Sequence, residues 1–161
     1  MRMTLHTDYA LRTLFYVGLH TDRRVSIREV ANAYGISENH LVKVIHKLGR
    51  GGFIQTMRGR GGGLTLARAA DEIRIGDVVR YTEEDMNLVA CEPTTVDGRA
   101  CVLARHCRLR GLLGQAIDAF MMVLDGATLG SLLTDEDCVV LRQIFAITQV
   151  VDTEKPDHIA Q

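Results

Sequence analysis

Ser26-Ile-Arg-Glu-Val-Ala-Asn-Ala-Tyr-Gly-Ile-Ser-Glu-Asn-His-Leu-Val-Lys-Val-Ile-His-Lys-Leu48 is the stretch that decides the fold. Ser26 and Glu29 form a capping box, in which hydroxyl and carboxylate each satisfy an amide that a helix start leaves open. Ile27, Val30, Ala31 and Tyr34 then recur at i, i+3, i+4 and i+7, which is one face of a short helix. Gly35 ends it and Ser37 is placed to cap the next helix. There Leu41, Val44, Ile45 and Leu48 repeat the same stripe. Two such helices joined by a tight glycine turn make a helix-turn-helix.

With that stripe turned inward, Asn39, His40, Lys43, His46 and Lys47 face outward. Every amphipathic helix has a polar face, so position carries the argument here. The second helix of this unit normally enters the major groove with its N-terminal residues at base edges. Asn39 and His40 are therefore expected at bases, Lys43 and Lys47 at phosphates or guanine edges, and Ser37 among the DNA-binding residues.

Working outward, Phe53–Met57 and Leu64–Leu66 read as two short strands around Arg58-Gly-Arg-Gly-Gly-Gly63. A glycine-rich loop of this kind could cradle a phosphate, but the Gly-Lys-Ser/Thr ending of a P-loop is missing. A hairpin tip bearing Arg58 and Arg60 after a helix-turn-helix is better read as a wing, its arginines entering a narrow, strongly negative minor groove. Upstream, Ala10, Leu11, Leu14, Phe15 and Val17 predict a helix from Asp8 to about His20, capped by Thr7 or Asp8. Downstream, Ile73, Ile75, Val78 and Val79 predict a short helix from near Arg74 to Thr82. The fold class is mainly α with a small β-hairpin wing, a winged helix-turn-helix followed by a long dimerisation helix.

Charge supports this. The 161 residues carry a net charge of -1. Residues 1–70 hold eleven Lys/Arg against four Asp/Glu, and residues 71–161 hold eight against sixteen. A basic first half on an acidic chain is the footprint of a polyanion partner. No apolar run approaches the length of a membrane span, and Met1–Asp8 lacks a secretory pattern. The expected location is therefore the cytoplasm, where four cysteines are ligands, redox groups or small hydrophobes rather than a disulfide framework.

The cleanest periodicity lies in the second half. Leu109, Leu112, Leu113, Ala116, Ile117, Phe120, Met121 and Leu124 form a broad apolar stripe over more than four turns. A small domain offers little core to cover it, so much of it is expected to meet a second copy of the chain. The alternative is intrachain packing against residues 135–149, Val139, Val140, Ile144 and their neighbours. Before this helix stand Cys91, Cys101 and Cys107, with nine and five residues between them. Zinc sites usually carry a close Cys-x2–4-Cys pair, which is absent. An iron–sulfur cluster tolerates wider spacing and a non-cysteine fourth ligand. On spacing, cluster, zinc and redox or inert thiols all stay open. Cys138, inside a helical pattern, reads as a buried small hydrophobe. The chain divides into 1–82 (DNA-binding), 83–107 (cysteine loop), 108–150 (dimerisation helices) and 151–161 (frayed tail).

Thr7-Asp-Tyr-Ala-Leu-Arg12, Ser37-Glu-Asn-His-Leu-Val-Lys43, Arg58-Gly-Arg-Gly-Gly-Gly63, Ile73-Arg-Ile-Gly-Asp-Val-Val79 and Cys107-Arg-Leu-Arg110 together resemble the NsrR repressors. These are the nitric-oxide-sensing branch of the dimeric iron–sulfur winged-helix regulators that include IscR. The resemblance runs from about Met1 to Leu133. It implies a homodimer with one cluster per subunit, 4Fe–4S favoured over 2Fe–2S, that represses nitric oxide detoxification genes until nitrosylation releases the operator DNA. The ligands it implies are Cys91, Cys101 and Cys107, with Asp8 of the partner subunit as the fourth. Asp8 as a plain helix cap remains the competing role. The IscR branch has a histidine three residues after the third cysteine, where this chain has Arg110. The Cys91–Cys101 interval exceeds the family's four or five residues, and Glu92–Ala100 could bulge outward at little entropic cost. An oxygen, iron or thiol-redox signal acting on the same cysteines is the alternative function. An enzyme is disfavoured: His106 beside Cys107 is a neighbour in sequence, whereas catalytic partners need facing side chains.

Overall fold

The computed structural model describes residues 2–86, 88, 107–134, 136 and 138–145. Cys91, Cys101, the Glu92–Ala100 insertion and the 151–161 tail lie outside the described residues. Among the described residues the named elements follow in the order α1 (Leu5–Leu19), α2 (Ile27–Tyr34), α3 (Glu38–Arg50), β1 (Ile54–Met57), β2 (Gly63–Leu66), α4 (Ile75–Thr82) and α5 (Arg108–Asp125), with a further helical stretch at 138–145.

The capping box forms as expected. Ser26 Oγ accepts from the Glu29 amide at 3.2 Å, and the Glu29 carboxylate accepts from the Ser26 amide at 2.7 Å. Gly35 ends α2 at φ +61°, a left-handed conformation that a side chain would strain. Ser37 takes the N-cap position of α3 but makes no side-chain cap bond, while Glu38 pairs with Arg28 at 3.2 Å. The start of α1 differs more. The cap is Thr4, whose hydroxyl accepts from the Thr7 amide, so the helix begins at Leu5 rather than at Asp8. Thr7 is instead fully buried, with its hydroxyl turned inward.

Around α1 packs a single apolar cluster. Leu14 and Val17 of α1, Val30 of α2, Leu41, Val44 and Leu48 of α3, and Val78 and Val79 of α4 are all buried in it. The hairpin pairs Ile54 with Leu66 and Met57 with Gly63, antiparallel. Val25 adds a third edge, exchanging hydrogen bonds of 3.0 and 2.8 Å with Leu64. This ties the wing to the start of the helix-turn-helix. At the wing tip Gly59 and Gly61 take φ of +95° and +76°, which explains glycine there.

The chain after α5 returns to the base of α4. The Ile75 amide donates to Ala127 O at 3.0 Å, the Leu129 amide donates to Ile73 O at 2.8 Å, and Leu129 is fully buried. The long apolar stripe is therefore divided. Ile117, Phe120 and Leu124 pack against the core and Met121 is buried within it, so Met121 is not available to a partner, contrary to expectation. Leu109 and Leu112 stay 57% and 62% exposed, Ala116 is exposed and Leu113 half-buried. Among the described residues of the alternative seam, Val139, Val140 and Ile144 are exposed. Helical residues 138–145 lie instead on α1 and α2. Phe145 meets Tyr16 and Tyr34 edge-on, and Arg142 donates to Leu19 O. Cys138 is half-buried, not buried, with its thiol 3.6 Å from Leu133 O.

Candidate nucleic-acid interface and metal centre

The face that α3 turns away from its core is polar and accessible. Ser37, Asn39, His40, Lys43 and His46 are all exposed, as are Arg58 and Arg60 at the wing tip. His40 stacks on Tyr9 of α1, ring centroids 6.4 Å apart, which steadies the first turn of α3 against the central helix. Arg24 donates to Gly61 O at 3.3 Å and braces the wing from behind. Arg68 lies over the Phe53 ring at 4.8 Å, occupied with packing the base of the hairpin.

Lys47 departs from the sequence expectation. It is half-buried, and its Nζ donates to the Thr82 carbonyl oxygen at 3.0 Å instead of projecting with Lys43. The period of α3 puts Lys47 at the edge of the polar face. The end of α4, brought there by the tertiary fold, captures it.

A polar node surrounds that contact. Thr7 Oγ1 donates to Thr82 Oγ1 at 2.9 Å, and Thr82 Oγ1 donates onward to Val78 O at 2.8 Å. Glu83 Oε1 accepts from the Thr4 amide at 2.8 Å and from its hydroxyl at 3.2 Å. His6 sits beside these groups with a buried Nε2 that has no partner among the described residues. Burial first, then the Lys47 ammonium, hold its imidazole below the ordinary value, against the opposing pull of Glu84 and Glu83. Sequence reasoning placed Thr82 at the end of a helix but assigned Thr4, Thr82 and Glu83 no part in such a node. Glu83 is legible only as part of an acidic run, because a bond spanning 79 residues leaves no local signature.

Two of the four expected metal ligands are described. Cys107 is a free, half-buried thiol at the N-cap of α5, with no side-chain cap bond. Asp8 is half-buried in the first turn of α1 and pairs with Arg12 at 3.0 Å. A soft thiolate and a harder carboxylate suit a mixed-ligand iron–sulfur group. Among the described residues no three candidate ligands come together, as follows from Cys91 and Cys101 lying outside them.

The model of the Rrf2 family, "Iron-dependent Transcriptional regulator", matches residues 3–135. The HTH-type transcriptional regulator NsrR of Geobacillus kaustophilus (strain HTA426) is 47% identical over 136 residues, covering 84% of this chain and 91% of that protein. The regulator of the same name from Bacillus subtilis (strain 168) is 40% identical over 141 residues, covering 87% and 95%. Among solved structures, CymR, the global cysteine regulator of B. subtilis, superposes with a TM-score of 0.66 at 25% identity, covering 84% of this chain and 99% of that one. T. potens IscR superposes at 0.65 with 20% identity, covering 100% and 94%, and shares the fold. Among the described residues no helix is long and apolar enough to cross a membrane. These relatives are regulators and not enzymes, and the chain belongs with them to the Rrf2 family of DNA-binding transcriptional regulators.

Proposed function

We propose that this chain is a homodimeric repressor that senses nitric oxide through an iron–sulfur cluster and releases the operators of nitric oxide detoxification genes. The observation that carries the DNA-reading part is the exposed polar face of α3 followed by the exposed arginines of the wing. Identities of 40–47% to regulators named NsrR support the signal. In this reading Ser37, Asn39 and His40 lie at base edges, Lys43 at a phosphate, and Arg58 and Arg60 in the minor groove.

Cys91, Cys101 and Cys107 would hold the cluster, 4Fe–4S favoured, with Asp8 of the partner subunit completing it. When bound, the cluster supplies a centre that reacts with nitric oxide. The chain's own contribution is positional. Asp8 pairs with Arg12 at 3.0 Å through one carboxylate oxygen, so as a ligand it would share its carboxylate with that guanidinium or release it. Leu109 and Leu112, bare on the first turns of α5, supply the apolar surface of the dimer seam. Half-sites lie about one DNA turn or a multiple of it apart, so a change in the separation of two α3 helices weakens binding.

The test is an anaerobic nitric oxide titration of the purified protein, with visible absorption and operator retardation followed on the same samples. A chromophore that bleaches in step with loss of DNA binding is the expected result. A protein that stays colourless after anaerobic reconstitution, and binds DNA unaffected by nitric oxide, overturns the cluster and moves the cysteines to zinc or thiol chemistry.

A further inference from the structure

We infer that Lys47 is a positioning residue, not a DNA contact: it ties the last turn of α3 to the end of α4 and so fixes the angle at which the recognition helix is presented. The inference rests on the reading that α3 meets DNA.

Three observations carry it. Lys47 lies in the last turn of α3, and its Nζ donates to Thr82 O at 3.0 Å. Thr82 is the final residue of α4, where carbonyls lack helical partners and the dipole is negative, so a cation is favoured there over a neutral donor. The second observation is burial: Lys47 is half-buried while Lys43, one turn earlier, is exposed. An ammonium held against Thr82 is withdrawn from the surface on which a phosphate would lie.

The third observation is what else meets at Thr82. Its hydroxyl accepts from Thr7 of α1. The next residue, Glu83, bonds its amide to Val79 O at 2.8 Å, and its carboxylate holds the amide and hydroxyl of the Thr4 cap. Lys47 thus joins the recognition helix to a knot formed by the first turn of α1 and the last turn of α4. Asp8 follows Thr7 directly, so a pull on Asp8 reaches α3 through Thr7, Thr82 and Lys47. The Tyr9–His40 stack ties the opposite end of α3 to the same turn of α1. With both ends of the reading helix referred to that turn, Lys47 holds the end distant from the base-contacting residues.

The experiment uses the full chain and a mixed-sequence DNA duplex, comparing wild type with Lys43→Met, Lys47→Met and Lys47→Gln. Removing one lysine that neutralises a phosphate should reduce the slope of log K against log salt by about one unit. Lys43→Met is expected to show that reduction, whereas Lys47→Met keeps the wild-type slope. Backbone amide exchange supplies the second readout. Lys47→Met should raise exchange at Thr4, Glu83 and the last turn of α3 by about tenfold, and Lys47→Gln, which keeps a donor without the charge, should restore part of the protection. A slope reduced by about one unit in Lys47→Met, or exchange unchanged in both Lys47 variants, overturns the inference. A wild-type protein without affinity for the duplex overturns the DNA reading instead, and the exchange measurement still decides whether the tie exists.

Discussion

Arg80 and Asp125 are joined by two parallel hydrogen bonds of 2.6 and 2.5 Å that pin the end of α5 to the side of α4. Hydrogen bonding from Arg80 holds the Asp125 carboxyl below the ordinary carboxylate range. A group whose folded pKa is lowered stabilises the fold above its unfolded value, near 3.8 here, and loses that contribution as pH falls through the folded one. Both side chains are partly exposed to solvent, so the effect is small and salt-sensitive. Asp125→Ala should lower Tm slightly at neutral pH, less in high salt and not at all in strong acid. A Cβ on Gly76 would overlap the Asp125 carboxylate. Gly76→Ala should therefore cost stability in the wild type but not in Asp125→Ala, a non-additivity that a double-mutant cycle reads directly.

The capping box of α2 gives a second pH-dependent element. Burial raises the Glu29 pKa, but hydrogen bonds from Ser26 and the pairing with Arg23 outweigh it, leaving the carboxyl below its ordinary value. Its contribution is present above about pH 4.5 and fades below that as the carboxylate is protonated. Ser26→Ala should cost about 1 kcal/mol in urea unfolding at pH 7. The difference from wild type should narrow as the pH falls below that range.

In the proposed reading the wing arginines Arg58 and Arg60, both exposed, meet DNA and take no part in the packing of the fold. Arg58→Ala and Arg60→Ala should leave Tm within about a degree of wild type, since substitutions away from packed features change stability little. Each should lower the salt slope of DNA binding by about one unit if its guanidinium meets a phosphate. Fluorescence anisotropy at several salt concentrations checks both variants. Unchanged slopes in the pair would remove the wing from the interface.

The exposed leucines of α5 separate assembly from folding. Leu112→Glu places a charge on a residue 62% exposed in the single chain, so the protomer should fold normally. On the proposed homodimer, light scattering should report a dimer for the wild type and a monomer for the variant. Operator binding should weaken by at least about tenfold, because one reading head replaces two. An unchanged mass would place the dimer seam elsewhere.

Local physics alone settled the winged helix-turn-helix. The Ser26–Glu29 box, the Gly35 stop, the apolar spacing of α3 and the glycine-rich wing are each specified within a few residues, where backbone sterics and helix period act. The exposed polar face of α3, Lys47 apart, and the exposed arginines of the wing were legible for the same reason, while the ligand roles of Cys107 and Asp8 rest on the family resemblance and belong to the proposed function. Tertiary structure decided the rest. It buried Met121 while leaving Leu109 and Leu112 bare, a division that one continuous helical period cannot express because it depends on where α4 ends. It moved the cap of α1 to Thr4 by supplying Glu83 from 79 residues away. It also turned Lys47 from the polar face to the carbonyl of Thr82. Each of these outcomes is a contact between residues far apart in the chain, and such contacts are fixed by how the elements pack rather than by the residues beside them.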